Sequence, residues 1–99
     1  MCEFKIIKKN DGSQILEDIV ILTYTENNEL LFKDVLGIGE LLKSALIIEV
    51  NTLNQTCVVV ENPLIKEFID LVNKMNSKTI SKSDIEYFQT QLDDIKNNL

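Results

Sequence analysis

The hydrophobic pattern of this chain changes period near Pro63. Before it, apolar residues fall in short runs that alternate with polar ones or cluster with β-branched neighbours. After it, they recur at steps of three and four. Glu3-Phe4-Lys5-Ile6-Ile7-Lys8 alternates and is followed by Asn10-Asp11-Gly12-Ser13, whose Asp-Gly pair suits a tight hairpin turn. Residues 15–25 are rich in β-branched side chains (Ile19, Val20, Ile21, Thr23, Thr25) and read as a second strand, closed by the turn Glu26-Asn27-Asn28-Glu29. A third strand spans 30–36 and ends at Gly37-Ile38-Gly39. A fourth, shorter one spans 40–44, where Leu41-Leu42 could alternatively open a helical turn. Residues 46–50 and 56–61 give a fifth and a sixth, separated by Asn51-Thr52-Leu53-Asn54-Gln55. Six short strands at this spacing predict a meander that curls into a small barrel or half-barrel.

Asn62-Pro63 marks the switch to helix. Asn is a good N-cap, and Pro fits the first helical position because its missing N–H would have no partner there. Leu64, Ile65, Phe68, Ile69, Leu71, Val72 and Met75 then form a broad apolar face that ends near Asn76-Ser77. A second helix is expected to open at Ser83, with Glu86 as its capping-box partner. Its seam of Ile85, Phe88, Leu92, Ile95 and Leu99 is too short for an independent coiled coil, so it should pack on the first helix or on a symmetry mate. The expected fold class is α+β: a small antiparallel β-meander or barrel of about six strands over residues 1–61, followed by a C-terminal helical hairpin over 62–99 packed on it or on a partner subunit.

Composition narrows the chemistry. The chain has 99 residues, a single domain's worth, with 44% apolar and 26% charged residues. It contains no His, Trp or Arg. Without His, the commonest general base and neutral metal ligand are missing. Without Arg, bidentate phosphate and base readout is missing. A net charge of −6, with lysines scattered except for Lys5, Lys8 and Lys9, argues against nucleic acid as a partner. No apolar run reaches a membrane span, and Met1-Cys2-Glu3 does not begin a signal peptide, so a cytoplasmic protein with no membrane partner is expected. In that compartment Cys2 and Cys57 are not expected to pair.

Cys2 is the position of chemical interest. A small second residue permits removal of the initiator Met, which would leave a free α-amine beside the thiol. Amine and thiolate then close a five-membered chelate, and the Glu3 backbone amide can join once deprotonated. Planar nitrogen and sulfur donors suit Ni(II) or Cu(II). One terminus falls short of four donors, and a symmetric dimer would complete the set. One Cys is not a ligand cluster, and on the residues alone an incidental residue at a chain end is the simpler reading of Cys2.

Cys57, in Thr56-Cys57-Val58-Val59-Val60, reads as a small core hydrophobe. Phe4, Tyr24, Phe32 and Phe68 likewise read as core rather than as a base-stacking platform. No nucleophile–base pair, phosphate loop or calcium loop is present: Gly37-Ile38-Gly39 reads as a bend, Asp11-Gly12 as a turn, and Glu17-Asp18 and Asp93-Asp94 as solvated faces. The chain is therefore not expected to be an enzyme.

Taken together, Met1-Cys2-Glu3-Phe4-Lys5, the Asp-Gly turn near position 11, Leu16-Glu17-Asp18-Ile19-Val20, Leu30-Leu31-Phe32-Lys33-Asp34-Val35-Leu36-Gly37 and Ile47-Ile48-Glu49-Val50 resemble the CooT family over about residues 1–61. These are small nickel-binding proteins, also labelled predicted RNA-binding proteins. The resemblance implies a mostly β fold, Cys2 as metal ligand, and a homodimer with nickel shared near its two-fold axis. It also implies a metalloenzyme or its maturation protein as a further partner. Residues 63–99 depart from the family, whose members usually stop near the last strand. The leading expectation is thus a Ni(II)-binding accessory or storage protein, in which another thiophilic divalent metal could take the place of nickel. The alternatives are a protein-interaction or oligomerisation module without metal and a small β-barrel RNA-binding protein.

Overall fold

The computed structural model describes residues 3–99. It has the expected α+β order of six strands and two helices: β1 (Phe4–Lys8), β2 (Ser13–Tyr24), β3 (Leu30–Asp34), β4 (Gly39–Leu42), β5 (Ala45–Asn51), β6 (Thr56–Glu61), α1 (Pro63–Ser77) and α2 (Lys82–Asn97). Gly12 (φ +74°) and Gly37 (φ +82°) supply the left-handed backbone of the first and third turns.

The strand order is β4-β3-β2-β1-β6-β5. Strands β1 to β4 form an antiparallel meander, β5 and β6 an antiparallel hairpin, and that hairpin docks with β6 parallel to β1. The sheet is therefore mixed, where the sequence reading has it wholly antiparallel. The cause is the link Lys43-Ser44. It is a corner that carries β4 onward into β5 in the same sense, and not a hairpin that reverses it. Residues 42 and 45 can be at most about 11 Å apart, whereas the edges of a flat six-stranded sheet would lie about 24 Å apart. The sheet must therefore roll until its two edges come close at this corner.

Bulges supply the curl. Register slips within β1–β2 near Phe4–Ile7, within β2–β3 near Ile19–Ile21, and within β5–β6 near Ile47–Glu49. Asp18 sits at the β2 bend with φ 59°. The first half of β2 pairs with β1 and the second half with β3, so the bend folds one half of the sheet over the other. Among the described residues no ladder joins β4 to β5, and the barrel stays open along that seam.

The core lies inside the fold and follows the alternation of the strands. Ile6, Ile19, Leu30, Phe32, Ala45, Cys57 and Val59 are fully or almost fully buried. The Tyr24 ring packs against them, and its hydroxyl reaches the seam. The thiol of Cys57 is raised above its ordinary pKa by burial, as suits a core hydrophobe rather than a nucleophile.

The α1 start is as expected: the Asn62 side chain accepts from the Leu64 N–H at 2.9 Å, with Pro63 at the first helical position. Helix α2 begins earlier than the sequence reading places it. Ser81, not Ser83, is the N-cap, and Asp84, not Glu86, completes the capping box. The Lys74 ammonium at the end of α1 lies 3.1 Å from Asp84 and selects this pair.

Candidate functional site

Cys2 lies outside the described residues. Glu3, half-buried, leads into β1. Register defines what surrounds that entry. Phe4 pairs with Ile19, which in turn pairs with Asp34, while Lys5 pairs with Thr56 and Thr56 with Asn51. The Lys5 N–H donates to the Gln55 carbonyl at 2.9 Å, tying the strand to the turn before β6. By register, the turn after Asn51 adjoins the chain entry on one side of β1, and the loop after Asp34 lies two strands away on the other.

The loop after Asp34 is ordered from within. One carboxylate oxygen of Asp34 accepts from the N–H groups of Leu36 (2.9 Å) and Ile38 (3.0 Å). The Asp34 N–H donates to the Ile38 carbonyl, and the Gly37 N–H to the Asp34 carbonyl, both at 3.0 Å. An aspartate that folds the backbone onto itself is a local device and needs no tertiary support. It leaves Leu36 80% and Ile38 61% exposed. In the neighbouring turn Leu53 is 94% exposed, and the Asn51 side chain accepts from the Asn54 N–H at 3.0 Å. Three large apolar side chains thus stand in solvent on loops flanking the N-terminal entry, two of them held there by hydrogen bonds. Sequence reasoning treats Gly37-Ile38-Gly39 only as a bend; the Asp-x-x-Gly spacing of Asp34 and Gly37 is the signal that marks it as a built loop.

Other candidate positions resolve plainly. Among the described residues no group of three or more Cys, Asp or Glu side chains is placed to hold a metal. Asp11 accepts from the Ser13 hydroxyl (2.6 Å) and N–H (3.0 Å), which hold its carboxyl below the usual range in an ordinary turn role. Asp93 and Asp94 are exposed, as is Glu17, while Asp18 serves the β2 bend. Phe68, expected in the core, is 55% exposed and touches Phe88 with ring centroids 6.3 Å apart.

A separate polar cluster joins α1 to the β2–β3 turn. The Asn28 amide donates to Asp70, the Asn73 amide donates to the Asn28 side-chain oxygen at 2.7 Å, and the Lys66 ammonium donates to the Asn27 carbonyl. Asn28 itself has φ 61°, a backbone that Asn tolerates better than other side chains. These residues dock the helix and leave no buried unpartnered side-chain atom among the described residues. No helix among the described residues is long and apolar enough to cross a membrane. The chain matches no protein-family model and no curated protein.

Proposed function

We propose that this chain is a cytoplasmic metal-binding accessory protein of the CooT type, without catalytic activity of its own. Cys2 supplies the thiolate, and the α-amine freed by Met1 removal and the Glu3 backbone amide add nitrogen donors, which leaves one terminus short of four. Ni(II) is the ion best suited to planar nitrogen and sulfur donors. The observation that carries the reading is the apolar rim of Leu36, Ile38 and Leu53 on the two connections flanking the entry of Glu3 into β1. Exposed apolar side chains held on an ordered loop suit burial against another surface. A two-fold dimer in which two N-termini share one metal would offer the four donors that one terminus lacks. The natural recipient of the metal is a nickel enzyme or its maturation protein.

The test is a Ni(II) titration of protein whose N-terminus has been checked by intact mass, followed by absorbance in the thiolate-to-metal charge-transfer region. A band saturating near one nickel per two chains, and absent in Cys2→Ala, is expected. Saturation at one per chain would remove the shared geometry. No band would remove the metal reading.

A further inference from the structure

The helical hairpin leaves an apolar face that the fold does not cover. Every described residue of α1 and α2 keeps part of its surface in solvent, although both helices carry apolar stripes. Helix α1 rests on β5, and α2 makes its main contact with α1. The radius of gyration is 15.6 Å over extents of 46 × 33 × 22 Å, against about 13 Å for a compact domain of this length. The hairpin therefore projects from the β domain instead of wrapping it.

A groove of about 480 Å³ runs between β5, α1 and the end of α2, lined by Leu46, Leu64, Ile65, Phe68, Ile69 and Ile95. Within it Leu46 is 42%, Phe68 55% and Ile95 47% exposed. The face extends along both helices. Met75 stands two turns beyond Phe68 on the same stripe of α1, while Ile85 and Leu92 share the α2 seam with Phe88 and Ile95. Met75, Ile85 and Leu92 are also substantially exposed.

Six half-exposed side chains of this size present on the order of 500 Å² of apolar surface. That lies at the upper end of the about 300–600 Å² that the largest apolar patch of a monomer spans, a patch that is often functional. It also matches what a stable two-fold interface needs, about 800 Å² per partner of which somewhat over half is apolar. A hairpin of 15- and 16-residue helices has one partner that necessarily presents the same lengths and the same seam, namely its own copy. We propose that a second copy of this chain covers this face, the two helical hairpins packing about a two-fold axis into a four-helix bundle flanked by Leu46 of β5. The proposal is independent of metal binding. The groove and the Leu36–Leu53 rim belong to different connections of the fold, so a chain using both interfaces would assemble beyond a dimer.

The experiment is sedimentation velocity with light scattering on the full chain at micromolar concentration, metal-free, comparing wild type with Leu92→Lys and with Leu46→Lys. The expected result is a wild-type mass of at least two chains that halves in both variants, with helix content by circular dichroism preserved. Should Leu92→Lys lose helix content, Leu46→Lys decides, because it lies on a strand and not on the hairpin. A wild-type mass of one chain would leave the face to a different protein and overturn the proposal. A mass unchanged by Leu46→Lys, or by a folded Leu92→Lys, would place the contact elsewhere and overturn it equally. Since Cys2 is intact in every sample, a nickel titration of the same variants reads the metal proposal separately.

Discussion

The Tyr24 hydroxyl donates to the Ala45 carbonyl at 2.8 Å and accepts from the Ile47 N–H at 3.3 Å. Tyr24 ends β2, while Ala45 and Ile47 belong to β5, which neighbours β6 and not β2 in the sheet. One phenol thus pairs backbone groups at the seam where the barrel does not close. Burial raises the Tyr24 pKa above its ordinary value, so the hydroxyl stays a donor throughout the neutral range.

Tyr24→Phe removes both contacts and leaves a partly buried carbonyl and N–H without this partner. A loss of about 1–2 kcal/mol is expected. Urea unfolding should show a lower midpoint at unchanged slope, and the Ile47 amide should exchange faster with deuterium. Unchanged midpoint and protection would mean that the seam does not depend on the phenol.

Asn28 acts through backbone and side chain together. Asn28→Ala should cost about 1–3 kcal/mol, because it strains a positive φ and breaks the links to Asp70 and Asn73. Asn28→Gly relieves the backbone part only and should fall between wild type and Ala. If Gly were as damaging as Ala in thermal unfolding, the backbone argument would be wrong.

Cys57 is fully buried, and burial raises its thiol pKa. In a Cys2→Ala background, a chromogenic disulfide reagent at pH 8 should therefore find no reactive thiol until urea unfolds the chain. Rapid labelling of the folded variant would contradict the core placement of β6.

The Asp84 carboxyl is held below the ordinary range of an aspartate, first by the Ser81 N–H and then by Lys74. A depressed carboxylate adds stability that is present above its unfolded pKa and lost as pH falls through the folded one. The contact between α1 and α2 should therefore weaken below about pH 4. Lys74→Met should weaken it at neutral pH, and Asp84→Asn should remove its acid sensitivity. Amide exchange in the first turn of α2, followed against pH, reads all three.

Local physics made much of this molecule legible from its residues. Short apolar and β-branched runs bounded by turn residues placed the six strands, and the apolar run Cys57-Val58-Val59-Val60 put Cys57 in the core. Asn62-Pro63 located the α1 start to the residue, because capping is settled within one turn. The start of α2 shows where such reasoning stops. Ser81-x-x-Asp84 and Ser83-x-x-Glu86 are equivalent as local patterns, and Lys74, reaching over from another helix, distinguishes them.

Of the candidate site, the sequence supplied Cys2 and its donor chemistry; that residue lies outside the described part of the structure, whereas the placing of the exposed apolar loops on either side of β1 emerged only from strand register. The parallel pairing of β1 with β6, the corner at Lys43-Ser44 and the reach of Tyr24 to β5 were likewise decided in three dimensions. Each depends on where remote strands lie after the sheet rolls, a property of the whole sheet that no local window carries. The same holds for burial. Phe32 and Phe68 are alike as apolar residues in the sequence, yet one is sealed inside the roll and the other stands half in solvent. The difference is that the sheet encloses its own inner face, while the hairpin has nothing of its own to close against.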